Sequence, residues 1–444
     1  MNLTGKRVAV LGAGRSGRAA ADLAFRNGGK VVVYDSGSEE VFDGLRDEIR
    51  CHPRANEETG KACAADLVVI SPGIETSGEF ASSFARGAGE FIGETEFASR
   101  YFDGLVIGIT GTNGKTTTTE LIQRMVEAGG KSCEACGNYG RPLSDVVVGT
   151  DPPEAVSLEL SSFQLETITT FRPDVAVWLN FSPDHMDRYR TVDEYHGAKL
   201  RIFKNQREDD AAVVRFGEEV GKISASRISF SATQSDADYA LRGSEILCQG
   251  EKVLDLEETR LRGLHNAENV MAALAAVEAA NVMPKEAVAV FGEYAPPLHR
   301  CELVRTLDGV EYINDSKATN LHALEAALRS QSRPTVLIAG GKDKGLDYTP
   351  LLPVLEERVS LIVVFGEIRS SLLDAFSPVV RTVSAESLQD AVWSAREASA
   401  PGGTVLFSPG TSSFDMFSGY EQRGDAYRKI CLLYTSPSPR DVST

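Results

Sequence analysis

The stretch GITGTNGKTT, residues 108–117, carries the residue types that hold a nucleoside triphosphate. Glycines at 108, 111 and 114 precede Lys115 and Thr116, so backbone amides, an ammonium and a hydroxyl lie close together along the chain. In such a loop the lysine reaches the β- and γ-phosphates and the hydroxyl ligates Mg2+. The regular spacing would put a glycine at 109, where this chain has Ile109. The apolar run before the loop reads as a strand and the pattern after it as a helix, and ATP is the expected ligand.

A second cradle, GAGRSG, occupies residues 12–17. Gly12, Gly14 and Gly17 fit the dinucleotide fingerprint between strand and helix, and Asp35 ends the next strand, where an acid bonds a ribose hydroxyl. The motif by itself favours NAD or FAD, yet any nucleotide diphosphate meets its physical requirement of close backbone approach. Further on, ELSSFQLE (159–166) ends a strand in polar groups, and DHMDRY (184–189) places Asp184, His185 and Asp187 past another. Ligands in open α/β sheets sit beyond the carboxyl ends of strands, so Glu159 and His185 are placed to face one Mg2+–phosphate cluster. NDSKATN (314–320), GGKDKG (340–345) and SPGTSSFD (408–415) fall at further predicted strand ends.

The elements that position these groups repeat one pattern of apolar β-branched run, glycine turn and helix. Residues 7–11, 30–34 and 66–70 read as buried parallel strands; the pattern restarts at 105–109 and continues at 155–160 and 174–180. The helix after the second cradle places Leu121, Ile122, Met125 and Val126 on one face and stops at Gly129-Gly130. Residues 266–281 form an alanine-rich helix with Val270, Leu274 and Val277 inward. Strands at 335–339, 361–365 and 404–407 build a third unit beyond the Pro296-Pro297 hinge. Three α/β domains are expected, with joints near residues 102 and 297. The tail CLLYTSPSPRDVST (431–444) lacks periodicity and is expected to be a non-native or disordered stretch outside the fold.

Composition narrows the partners. The 444 residues exceed one core, and 42% hydrophobic with 25% charged residues is ordinary for a globular protein. The formal charge of −17 argues against a nucleic-acid groove, while a few lysines and backbone amides still suffice for an anionic small molecule. No apolar run approaches the ~20 residues that span a bilayer. The N-terminus runs straight into a strand pattern without a signal peptide, and the seven scattered cysteines read as reduced thiols, so a cytoplasmic place is expected. Cys133 and Cys136 form a CxxC that lacks the further ligands of a zinc site.

Together these segments resemble one family, the bacterial Mur ligases, and within it the branch that adds D-glutamate. The resemblance covers roughly residues 1–430. It rests, in order, on GTNGKTT, ELSSFQLE, DHMDRY with YHGAKLRIF, LHNAENVMAALAA, HRCE, NDSKATN, and SPGTSSFDMF with EQRGD. It implies a Rossmann-like domain over 1–102 that holds a UDP-sugar and no nicotinamide. It also implies a central P-loop ATPase-type domain with a mostly parallel sheet over 103–297, and a Rossmann-like C-terminal domain over 298–430 that receives the amino acid. The implied reaction joins D-glutamate to UDP-N-acetylmuramoyl-L-alanine through an acyl phosphate, in a monomer that engages neither nucleic acid nor membrane.

Carried over by position, Gly111, Asn113, Gly114, Lys115, Thr116 and Thr117 would hold ATP. Asn269, Arg300, Asp315 and Lys317 would complete its site, the last three by a closing movement of the third domain. Gly14, Arg15, Ser16, Asp35, Ser36 and Gly73 would bind the UDP-substrate, with Asn138, Ser161 and Gln164 on its muramoyl-alanyl part. Thr116 and Glu159 would ligate one Mg2+, and His185 a second. Lys199 reads alone as a solvated helix lysine; the resemblance makes it a carbamate on the second metal. Thr319, Lys344, Ser413 and Tyr420 would receive D-glutamate. Tyr420 stands where the family pattern has Phe, and Gly37 where some members have Arg near the uracil.

Three other readings compete: a sister ligase adding another amino acid, including a folylpolyglutamate-type enzyme; an NAD-dependent oxidoreductase built on residues 1–100; and a slow P-loop switch. A folate ligase has no need of GAGRSG, and the oxidoreductase leaves GKT and the third segment unexplained.

Overall fold

The structure, a computed structural model, describes every residue except 150, 187, 260, 262, 282–289, 295–297, 332, 333 and 434–444. The expected Pro296-Pro297 hinge and Asp187 lie outside the described residues. The chain divides into two compact units, one of residues 1–259 and 266–294, the other of 260–265 and 295–444.

The first unit holds two sheets. Its five-stranded sheet is parallel throughout, in the order Arg50–His52, Lys30–Tyr34, Arg7–Leu11, Leu67–Ile70, Phe91–Gly93. The strand order reverses beside Arg7–Leu11, and the two loops at that crevice are GAGRSG and Ser71-Pro72-Gly73, the geometry of a nucleotide-binding half-fold. Gly17 is dictated by packing: a Cβ there would lie 1.8 Å from the Gly12 carbonyl oxygen. The helix Arg15–Arg26 can therefore start directly against the turn.

The nine-stranded sheet runs Glu251–Asp255, Glu245–Cys248, Tyr239–Arg242, Ser226–Ser231, Ala211–Arg215, Val175–Trp178, Leu105–Thr110, Ala155–Glu159, Cys133–Gly137. It is parallel except for the antiparallel ribbon 239–255, which the sequence reading did not anticipate. Cys133 and Cys136 sit on its last strand as free thiols. The helix Lys115–Ala128 buries Leu121, Ile122, Met125 and Val126 as expected and is followed by Gly129. The alanine-rich helix spans Leu264–Ala279 with Val270, Leu274 and Val277 buried.

Between the two sheets, near the expected joint at 102, the short helix Glu94–Ser99 carries a buried clamp. Glu96 accepts the amides of Thr169, Thr170 and Phe171 at 2.8–3.0 Å and the Thr170 hydroxyl at 2.6 Å, with Arg100 Nε at 3.0 Å. Burial pushes its carboxyl up, but these hydrogen bonds outweigh it and hold the pKa below the usual value.

The second unit is a six-stranded sheet ordered Glu302–Leu307, Val310–Asn314, Thr404–Phe407, Thr335–Gly340, Val359–Phe365, Thr382–Ser384, parallel except for its first pair. The helix Tyr420–Leu433 packs on it, with Tyr427 stacked on Phe407 at a ring separation of 4.6 Å and Cys431 in the core. This corrects the expected tail: residues 431–433 continue the helix because Cys431 falls one turn after Tyr427 on the buried face, and 434–444 lie outside the described residues. The three-domain α/β architecture read from the sequence appears as three sheets.

Candidate functional site

Three neighbouring strands of the large sheet, Val175–Trp178, Leu105–Thr110 and Ala155–Glu159, end side by side, and the chain crosses from one side of the middle strand to the other there. The loop after the middle strand turns at Gly111 (φ +150°) and Gly114 (φ +87°), both left-handed. At Gly114 a Cβ would stand 2.2 Å from Asn269 Oδ1, so glycine lets the alanine-rich helix approach. Asn269 Oδ1 also accepts from Thr118 Oγ1 at 3.4 Å. The loop is fixed laterally: Asn113 N donates to Asn180 Oδ1 at 2.9 Å, and Ser182 N to Thr112 Oγ1 at 3.0 Å. Thr116 and Thr117 are buried in the first helical turn. Lys115 folds over its own loop, donating to the carbonyls of Gly111 and Thr112 at 2.8 and 2.9 Å.

Lys199, in the helix Val192–Leu200, is the surprise. It is 2% exposed and donates to the same Gly111 carbonyl at 2.9 Å, over the Tyr195 ring. The solvated-lysine reading is therefore wrong; the helix turns Tyr195, Ala198 and Lys199 inward. Burial, and then the charge of Lys115, hold its pKa well below the usual lysine value. Glu159 ends its strand 3% exposed. Its Oε1 accepts from Asn138 Nδ2 at 2.8 Å, while Oε2 is buried with no hydrogen-bond partner among the described residues. A buried carboxyl oxygen left without a partner is costly, and a divalent metal would satisfy it. His185 has a left-handed backbone (φ +56°), lies edge-on to Phe163 and Tyr195, and is within 4.0 Å of Asp184 Oδ2. Among the described residues no three His, Cys, Asp or Glu gather as a ready-made metal site. Ser161 and Gln164 cap the helix Ser162–Leu165 reciprocally, and Gln164 Nε2 also donates to Thr95 Oγ1 at 3.2 Å.

At the first cradle, Gly14, Arg15 and Ser36 are exposed and Ser16 half-buried, and Gly73 is open to solvent across the crevice. Asp35 is engaged on both oxygens, by the amides of Ala13 and Gly37 at 2.8 Å each, so it shapes the loop whatever else it binds. Arg15 donates to the Gly140 carbonyl at 2.7 Å. Arg188, unassigned by the sequence reading although it stands in DHMDRY, donates to Pro72 and Ile74 carbonyls, pairs with Glu166 at 3.0 Å and lies over the Phe163 ring.

In the second unit, three adjacent parallel strands end in the loops 314–320, 408–415 and 340–345. Lys344 Nζ donates to the Thr319 carbonyl at 3.2 Å, Ser413 is buried, and Lys317 Nζ lies 5.0 Å over the Tyr420 ring. Asp315 accepts from Ser408 Oγ at 2.8 Å and Cys301 N at 3.2 Å. Burial raises its pKa to about 7 despite these bonds and the nearby half-buried Arg300. Arg423, also missed although it stands in EQRGD, is buried beneath these loops.

Comparison with known proteins gives these sites a context. Residues 109–277 match the Mur ligase middle domain and 299–410 the Mur ligase glutamate ligase domain. The chain is 41% identical, over 96% of its length and 97% of the relative's, to a UDP-N-acetylmuramoylalanine--D-glutamate ligase of Geobacter metallireducens. It is 38% identical to one of Geotalea uraniireducens, with 97% and 98% covered. Among solved structures, MurF ligase of Thermotoga maritima in complex with ADP superposes with a TM-score of 0.61 at 18% identity, covering 97% of this chain and 96% of that one.

Proposed function

The chain belongs to the Mur ligase family, and from that premise we propose that it joins D-glutamate to UDP-N-acetylmuramoyl-L-alanine at the expense of ATP, a step of peptidoglycan precursor synthesis. The observation that carries this reading is the likeness to D-glutamate-adding ligases across nearly the whole chain. A carboxylate is a poor electrophile. The substrate carboxylate attacks the γ-phosphorus, ADP leaves, and the acyl phosphate so formed is attacked at its carbonyl carbon by the D-glutamate amine. The amine loses a proton and inorganic phosphate departs with the C–O bonding pair.

The chain's own groups bind and orient. The amides of residues 111–117 surround the ATP phosphates, and Lys115 exchanges its two loop carbonyls for phosphate oxygens. Asn269 holds the nucleotide from the neighbouring helix. Gly14, Arg15, Ser16, Asp35, Ser36 and Gly73 seat the UDP-substrate, and Asn138, Ser161 and Gln164 its muramoyl-alanyl end. Thr116 and Glu159 would hold one Mg2+, and His185 with a carbamylated Lys199 a second; the ions supply charge neutralisation among three phosphates. Arg300, Asp315 and Lys317 serve the nucleotide, while Thr319, Lys344, Ser413 and Tyr420 receive D-glutamate, the ammonium of Lys344 pairing with a carboxylate. The reading keeps the domain bounds 1–102, 103–297 and 298–430, a monomer, and a cytoplasmic place. No helix among the described residues is long and apolar enough to cross a membrane.

The test is phosphate release from ATP with UDP-N-acetylmuramoyl-L-alanine and a panel of amino acids. D-Glutamate should stimulate it, and L-glutamate and meso-diaminopimelate should not. A diamino acid working as well as D-glutamate would move the chain to a sister activity.

A further inference from the structure

Arg423 has no exposed surface; among the described residues its hydrogen bonds all go to neutral oxygens, and Asp415 and Asp315 act on it only through their charge. Its Nε donates to Ser316 Oγ at 3.1 Å and Nη2 to the Ser316 carbonyl at 2.8 Å, while Nη1 and Nη2 both donate to the Thr411 carbonyl at 3.1 Å. Burying a guanidinium against neutral oxygens is costly, and an apolar side chain of similar volume fills such space without that cost. A charge kept there has work to do in geometry.

The bonded residues show what that work is. Ser316 lies in the loop that carries Lys317 and Thr319, and Thr411 in the loop that carries Ser413. Thr411 Oγ1 donates to the Lys342 carbonyl at 2.6 Å and Lys342 N to the Ser412 carbonyl at 2.9 Å, which draws in the loop of Lys344. That loop crosses the guanidinium closely: a Cβ on Gly341 would stand 3.0 Å from Nη1. Ser316 Oγ donates in turn to the Tyr420 carbonyl at 2.9 Å. One planar fork thus fixes the peptide planes after Ser316 and Thr411, and through them three strand-end loops and the start of the helix Tyr420–Leu433. A fork holds orientation as well as distance, which a point-like ammonium does not. Burial lowers its pKa only to about 10, so the group stays charged at neutral pH.

We propose that Arg423 is the positioning residue of the amino-acid pocket, setting Thr319, Lys344, Ser413 and Tyr420 relative to one another and thereby the affinity for D-glutamate. The inference rests on the pocket assigned above. Its test uses the full chain carrying Arg423→Lys or Ser316→Ala, with KM for each substrate and kcat from phosphate release, and a thermal melt for each protein. Arg423→Lys keeps the charge but cannot span both carbonyls, so KM for D-glutamate should rise about tenfold while KM for ATP and UDP-substrate stays within about twofold. Ser316→Ala removes two bonds, from Arg423 Nε to the hydroxyl and from the hydroxyl to the Tyr420 carbonyl, without opening a large cavity, and should raise the D-glutamate KM about threefold. It decides the matter if Arg423→Lys fails to fold. An unchanged D-glutamate KM in the folded variants overturns the inference, as does an equal rise in all three KM values. If the unmodified protein does not use D-glutamate, the pocket assignment itself falls, whatever the variants do.

Discussion

The Gly111 carbonyl accepts from two lysines at once, and the two have different fates. Lys115 is half-buried and, in the proposed reaction, would move to phosphate oxygens. Lys199 is enclosed, and its depressed pKa raises the fraction of neutral amine, the form that adds CO2. The carbamate would supply the anionic oxygen that a second metal needs beside His185. Lys199→Ala should therefore abolish amide formation, with partial recovery on adding formate, whereas Lys199→Arg should gain nothing from it. Full activity of Lys199→Ala, measured as phosphate release, would refute the role. A second titratable group bears on stability. Asp315 has its folded pKa raised to about 7, so the folded protein keeps a proton that the unfolded chain loses from pH ~4 upward. Its contribution is greatest at low pH and is lost as pH rises through 7. Asp315→Asn should remove that component, so the difference in melting temperature, variant minus parent, should grow between pH 5 and about 8. A difference independent of pH would place the Asp315 pKa elsewhere.

Strand–loop–helix units carry the binding cradles, and their glycines separate turn geometry from ligand access. Gly17→Ala drives a Cβ into the Gly12 carbonyl and should destabilise the protein by roughly 2 kcal/mol or more in a denaturant titration. At Gly14 an added Cβ would meet no atom of the described residues within 4 Å, so Gly14→Val should fold and raise KM for the UDP-substrate while sparing ATP. Equal losses for both nucleotides would contradict the assignment of the first cradle. The same contrast explains what could be read from the sequence. Central parallel strands such as Leu67–Ile70 and Thr404–Phe407 are buried on both faces and announce themselves as apolar runs. The ribbon 239–255 mixes exposed and buried residues over four or five positions per strand, which leaves too little pattern to detect. Lys199 was legible only through the resemblance, because its helix is nine residues long and buries just Tyr195, Ala198 and Lys199. Arg423 stood in a quoted motif, but no local pattern tells a buried arginine from a surface one. Glu96 is similar: its three amide partners lie more than seventy residues away.

Across the whole molecule, the Glu96 clamp helps to explain why two sheets form one unit. Glu96→Ala strands three loop amides and should cost roughly 3 kcal/mol, read as a lower urea midpoint. Because its folded pKa is depressed, the contribution of Glu96 is present above the unfolded carboxyl pKa and fades as pH falls through the folded one. The division into units also has a consequence for biosynthesis. Residues 260–265 belong to the second unit, yet a ribosome makes them before residues 266–294, which complete the first. The close approach of Gly263 to Ser330, where an added Cβ would sit 2.8 Å from the Ser330 Cβ, cannot form until translation has gone some seventy codons further. Nascent chains long enough for Tyr294 to have left the exit tunnel should therefore yield a protease-resistant first unit that is still cut near Gly263, and the cut should vanish once Ser330 and the strands after it have emerged.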